Sequence, residues 1–136
     1  QGFGSRAKRH IIFGTYVSEA EQYEKYYLKA QKVRALVKAD FDRAFEKYDL
    51  IIGPTAPTVS PRAGEMLDLL NAFDSGLFAV PAALAGLPTL SMPCGLSKGL
   101  PVGLQIIGGA FEEASVLKLA YAYEQATDWH RQRKVL

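Results

Sequence analysis

The sequence is poor in the residues that form disulfides, metal clusters and membrane spans. It has one cysteine, Cys94, and two histidines, so an internal disulfide is excluded and the usual zinc-ligand spacings are missing. No apolar run approaches the roughly 20 residues that a membrane-spanning helix requires, and the opening QGFGSRAKRH lacks the apolar core of a signal peptide. These absences predict a soluble, cytoplasmic protein without a membrane contact.

The charge is nearly balanced, with a net value of +2 over 136 residues. Cations gather at the two ends of the chain, at Arg6, Lys8, Arg9, Arg131, Arg133 and Lys134. Basic termini contact phosphate in many nucleic-acid-binding proteins, but no aromatic stacking platform stands beside these residues. A small nucleic-acid binder stays open as an alternative, and it requires tRNA affinity that falls steeply with salt.

A helical repeat of apolar residues dominates the first half of the chain. Apolar side chains recur there every three or four residues, which indicates one face of a helix. Ser18 followed by Glu21 is typical of a capping box, so we predict one long helix near residues 18–47, with its aromatic stripe packed in the core. Ser5 is predicted to cap a shorter helix that ends near Gly14.

Strands and helices are predicted in the rest of the chain. A short buried strand is predicted in DLIIGPTAP, ending at Pro54, and two more strands in TLSMPC and PVGLQIIG. We predict two short helices across residues 65–86 and an amphipathic helix from about Glu112 to Thr127. Strands that are apolar on successive residues are typical of a sheet covered on both faces. These few elements cannot cover both faces, so the α/β chain is predicted either to self-associate as a non-catalytic module or to be a piece of something larger.

Two short motifs resemble catalytic or cofactor sites. Residues 95–99, GLSKG, have the G-x-S-x-G spelling of a nucleophile elbow, which requires a strand, a tight turn and then a helix. Here a second strand is predicted to follow, so Ser97 is interpreted as a hairpin-loop serine. GFGSRA resembles a dinucleotide fingerprint but follows no strand. Cys94, without a plausible partner histidine, is interpreted as a small buried side chain.

Three longer stretches resemble the C-terminal portion of the amidase signature family. They are KAQKVRALVKADFDRAFEKYDLIIGPTAPT, VPAALAGLPTLSMPCGLSKGLPVGLQIIGGAF and AYAYEQATDWH. Members of this family hydrolyse amides with a serine nucleophile, a second serine in a cis peptide and a lysine, all upstream of the part represented here. The resemblance therefore implies that residues 1–136 are an incomplete amidase-signature domain, a fragment of its mixed β-sheet flanked by helices, which lacks the catalytic residues and is inactive alone.

Within that family the resemblance is strongest to the glutamine-dependent tRNA amidotransferases. It implies that glutamine is the small-molecule substrate and that the released ammonia passes to a partner subunit. That partner uses ATP and Mg²⁺ to convert Glu-tRNA(Gln) to Gln-tRNA(Gln). The resemblance thus implies other amidotransferase subunits as partners, tRNA contact only through the complex, and no cofactor in this chain.

The resemblance also implies residues that bind the substrate. A family arginine in the pattern KRRI binds the substrate carboxylate, which suits a bidentate guanidinium. This chain has the pattern KRHI, so Arg9 is the candidate, and His10 stands where the second arginine is usual.

An aspartate that binds the substrate's amino group usually stands five residues before the proline that is Pro81 here. This chain has Gly76 at that position, and Asp74, two residues away, is the candidate substitute. Ala83 replaces an asparagine common in the family. Together with His10, these departures leave open a general amidase that acts on a different small amide.

Overall fold

The computed structural model describes residues 2–61 and 76–132. It divides into two compact units, Gln1–Leu36 and Val37–Leu136. Within the described ranges we find no helix with the length and hydropathy needed to span a membrane.

The first unit is helical. Helix α1 spans Ser5–Ser18, and it is followed by one α-helical turn, Ala20–Gln22, and a π-helical segment, Tyr23–Leu28. Helix α2, Lys29–Phe45, then continues into the second unit. The predicted long helix is therefore present over residues 20–45, with a π-helical insertion that a 3.6-residue repeat does not predict.

The capping box predicted at Ser18 is wrong. Ser18 is the last residue of α1, and its Oγ donates a hydrogen bond to the carbonyl of Gly14 at 2.8 Å. Serine makes this backward bond inside helices. Helix α1 continues past Gly14, where the sequence predicts its end. A glycine inside a helix costs only about 1 kcal/mol, which does not end the helix. Ser5 is not the cap either, because Gly4 occupies the N-cap position.

The second unit contains an antiparallel sheet, with three strands in the described residues in the order β1-β3-β2. Strand β1 is Leu50–Pro54, β2 is Thr89–Ser97 and β3 is Leu100–Gly108. The predicted end of β1 at Pro54 is confirmed. Strands β2 and β3 form a hairpin through Lys98 and Gly99, whose φ angles of 52° and 75° are typical of a type I′ turn.

Two further helices pack on this sheet unit. Helix α3, Ala79–Ala85, ends at Gly86, whose φ of 74° makes it a left-handed C-cap. It confirms the second of the two short helices predicted across residues 65–86, whereas the first lies outside the described residues. Helix α4, Glu113–Ala126, confirms the predicted amphipathic helix.

The central strand β3 is buried on both faces, as its consecutive apolar residues predict. Ile106 is 0% exposed and packs with residues of β2 and α4. Ile107, at 7%, lies on the opposite face, in a cluster with residues from α2, α3 and β1. The first cluster consists of Met92, Ile106, Val116 and Ala120. The second consists of Ala82, Ala85, Leu87 and Ile107, with Phe41, Phe45 and Ile51 packed against it. The α/β class is confirmed.

Two burial predictions are wrong in part. Strand β1 is predicted to be buried, but Ile52 is 61% exposed, because β1 is an edge strand within the described residues. In the predicted core stripe, Phe41 does pack against the core, whereas Val33 and Tyr48 are 52% and 63% exposed. Phe45, which lies outside the predicted stripe, packs there as well. Much of the apolar surface that the sequence predicts to be covered therefore faces outward.

Candidate functional site

The two predicted substrate-binding residues fall in different parts of the chain. Arg9 lies within α1, in the first unit, and is exposed. Asp74 lies outside the described residues. Of the departures from the family pattern, His10 follows Arg9 on α1, and Ala83 is exposed on α3. The assignment of Arg9 and Asp74 to the substrate site therefore stays a prediction.

Ser97 lies where a hairpin serine is expected. It is the last residue of β2, it is exposed, and β3 rather than a helix follows the turn. Cys94, on the same strand, is half-buried, and its Sγ lies 3.5 Å from the carbonyl oxygen of Val102. These positions agree with the interpretation of both as structural residues.

A polar patch that no sequence motif marks lies on one face of the sheet. The hydroxyls of Thr55 and Ser91 are hydrogen-bonded at 2.6 Å. Ser91 is the cross-strand partner of Gln105, and Gly53 is the partner of Gln105 on the other side. Cross-strand partners point to the same face, so we call Gly53, Thr55, Ser91 and Gln105 the polar sheet face.

Strand alternation is the signal that could have indicated this patch. In β2 the polar Thr89 and Ser91 alternate with apolar Leu90 and Met92. This alternation places the hydroxyls of Thr89 and Ser91 on the face opposite Met92. The pairing of Ser91 with Thr55 spans 36 residues of sequence, and only the sheet register reveals it.

The backbone at Gly103 lets the hydroxyl pair lie close to the sheet. The Thr55 N–H donates to the Gly103 carbonyl at 2.9 Å. A Cβ atom at position 103 would stand 2.7 Å from Thr55 Oγ1 and 3.1 Å from Ser91 Oγ. A side chain at this position would therefore force the hydroxyls apart.

An open cavity of about 300 Å³ lies between the end of α2 and the start of α4. Its lining residues are Phe45, Tyr48, Asp49, Gly109, Glu112 and Ser115. Ser115 Oγ donates to Glu112 Oε2 at 2.7 Å, so one of the two carboxylates already has a partner. Within residues 2–61 and 76–132, no three His, Cys, Asp or Glu side chains are grouped closely enough to hold a metal ion.

Comparison with known protein families gives a match to the amidase family model over residues 1–117. Curated relatives match the whole chain. The A subunit of glutamyl-tRNA(Gln) amidotransferase from Synechococcus sp. (strain JA-3-3Ab) is 55% identical over 136 residues, which are 100% of this chain and 27% of the relative. The protein of the same name from Moorella thermoacetica is also 55% identical, over 100% of this chain and 28% of the relative. The chain thus spans little more than a quarter of these relatives.

A solved structure shows the same fold. The crystal structure of the glutamyl-tRNA(Gln) amidotransferase A subunit from Thermotoga maritima matches with a TM-score of 0.68 and 40% identity, covering 87% of this chain and 26% of that one. A crystal structure of a bacterial aryl acylamidase of the amidase signature family has the same TM-score at 24% identity, which extends the likeness in fold alone.

Proposed function

The chain belongs to the amidase family, and on this premise we propose that it is one part of a glutamyl-tRNA(Gln) amidotransferase A subunit, which releases ammonia from glutamine. The observation that carries the proposal is the identity of 55% over the full length of this chain to relatives of that name. Because the chain spans 27% of the Synechococcus relative, the activity belongs to the longer protein.

The role proposed for these residues is structural support and substrate binding. The two-sided core around β3 supplies a rigid platform, whereas the serine nucleophile, second serine and lysine of the family belong to the rest of the enzyme. Ammonia then passes to a partner subunit, which holds ATP and Mg²⁺ and modifies Glu-tRNA(Gln). A scaffold without nucleophile and base retains little chemistry, so the isolated chain is expected to be inactive.

Arg9 is proposed to bind the substrate carboxylate, and Asp74 the substrate amino group. A guanidinium offers parallel N–H donors that match the two oxygens of a carboxylate, and a charged hydrogen bond of this kind is worth about 1.5–3 kcal/mol. Exposure of Arg9 in this chain leaves its guanidinium accessible to a ligand.

A chimera tests this proposal. Residues 1–136 replace the matching quarter of the Synechococcus protein, and glutamine-dependent ammonia release is measured with the partner subunits present. The chimera is expected to release ammonia and the isolated chain is not. Arg9→Ala should raise KM for glutamine roughly 10- to 100-fold, whereas Arg43→Ala, which removes an exposed cation paired with Asp40, should leave KM unchanged. If the isolated chain released ammonia from glutamine and Ser97→Ala abolished that release, the proposal would be wrong.

A general amidase is the second candidate, and the departures at His10, Gly76 and Ala83 favour it. A crystal structure of an amidase also matches this chain, with a TM-score of 0.68 and 28% identity. The same chimera separates the two functions when it is offered glutamine and a series of small amides without an α-amino acid group. Preference for the simple amides would favour the general amidase.

A further inference from the structure

The Gln105 side chain of the polar sheet face is buried but makes no side-chain hydrogen bond to another described residue. The residue is 4% exposed, yet we find no such partner for its amide in residues 2–61 and 76–132. No polar side-chain atom in those ranges is both fully buried and unpaired, so the tip of the amide still reaches the surface. An amide in this position has N–H and C=O groups available to an incoming partner.

Gly53 gives an independent indication at the same place. It lies directly across from Gln105 on β1, and a Cβ atom there would meet nothing within 4 Å. Crowding among the residues that the structure describes therefore does not require glycine at position 53, although glycine weakens a strand interior. A glycine within a strand often marks a place where another backbone approaches closely.

The chemistry of the two halves of this sheet face distinguishes what covers each. Around Ile51 and Ile107 the face is apolar and is covered by residues of α2 and α3, as helix packing requires. Around Gln105 the face instead offers an amide, two hydroxyls and a glycine. These groups match main-chain N–H and C=O groups better than they match the apolar stripe of a helix.

The relatives are much longer than this chain, so the rest of their length can supply a covering polypeptide. This chain spans 27% of the Synechococcus relative, and sheets of α/β proteins are normally covered on both faces. We propose that the polar sheet face receives an irregular main-chain segment from the rest of the amidase, which crosses over Gly53 and exchanges hydrogen bonds with Gln105 and Ser91. The inference rests on the proposed function in one respect, that the chain is part of a longer amidase.

The test compares the same substitutions in the isolated chain and in the complete Synechococcus chimera. Gly53→Val adds a side chain where the proposed segment crosses, and Ser91→Ala removes one hydroxyl. Ser97→Ala is the matched control, since Ser97 is an exposed serine on the same strand. Thermal midpoints are measured in both contexts, and KM for glutamine is measured in the chimera.

Gly53→Val is expected to leave the midpoint of the isolated chain within about 1 °C and to lower that of the chimera by at least about 3 °C. Ser91→Ala should lower the midpoint more in the chimera than in the isolated chain, and it decides the question if the valine variant of the chimera does not fold. Equal shifts in the two contexts would overturn the inference.

A raised KM with unchanged midpoints would also overturn the inference, because the face would then bind the carboxamide of the substrate. A chimera that fails to release ammonia but shows the expected midpoint difference would contradict the proposed function and leave this inference standing.

Discussion

Ile52 and Ile106 form a matched pair for testing where the core of the sheet lies. They are direct cross-strand partners on β1 and β3, yet Ile106 is 0% exposed and Ile52 is 61% exposed. Replacing isoleucine by alanine removes three carbon atoms, worth about 0.8 kcal/mol each when fully buried. For Ile106 this comes to about 2.4 kcal/mol, and the residual cavity raises the loss to roughly 3–4 kcal/mol.

For Ile52 the same substitution removes side-chain surface that is mostly in water already, so the expected loss is about 1 kcal/mol or less. Urea unfolding of the 136-residue chain, followed by circular dichroism, measures both values, with the dependence on denaturant expected to stay the same. If Ile106→Ala does not fold, Ile106→Val should still cost about 0.5–1.5 kcal/mol. Similar losses for Ile52→Ala and Ile106→Ala would refute the assignment of the core.

Three further predictions concern the turns, the polar patch and the exposed surface. Gly103→Ala should lower the free energy of unfolding by about 1–3 kcal/mol in the same urea assay, because its Cβ would stand 2.7 Å from Thr55 Oγ1. The control is Gly95→Ala, whose Cβ would meet nothing within 4 Å and which should change that free energy by less than about 0.5 kcal/mol. Gly99→Ala should cost about 1–2 kcal/mol because φ is +75° there, and a loss no greater than that of Gly95→Ala would contradict the hairpin geometry. The isolated chain should scatter light as a species heavier than one protomer and bind an apolar dye, since Ile12 and Phe13 on α1 are 69% and 65% exposed; a clean monomer without dye binding would contradict this.

Local patterns in the sequence predict the elements of this fold well and their ends less well. The 3.6-residue repeat finds α2 and α4, and the apolar runs find all three described strands. The capping box at Ser18 fails because a serine hydroxyl bonds either forward to an N–H or backward to a carbonyl, and here it bonds back to Gly14. The exposure of Ile52 cannot be predicted from local sequence either. It depends on the order of the strands, which long-range pairing determines.

Local sequence patterns also fail to indicate the most informative residues of the candidate site. A short motif draws attention to Ser97, whereas the serine of this strand with the more informative surroundings is Ser91, six positions earlier in β2. Its importance comes from a hydroxyl 36 residues away and an amide on the neighbouring strand, neither of which forms a contiguous pattern. A sequence motif consists of residues that are close together in the sequence, whereas antiparallel pairing brings together side chains from distant parts of the chain. Polar residues at alternate positions of strands that are otherwise apolar therefore indicate candidate contact groups even where no motif exists, and in this chain they indicate Ser91 and Gln105.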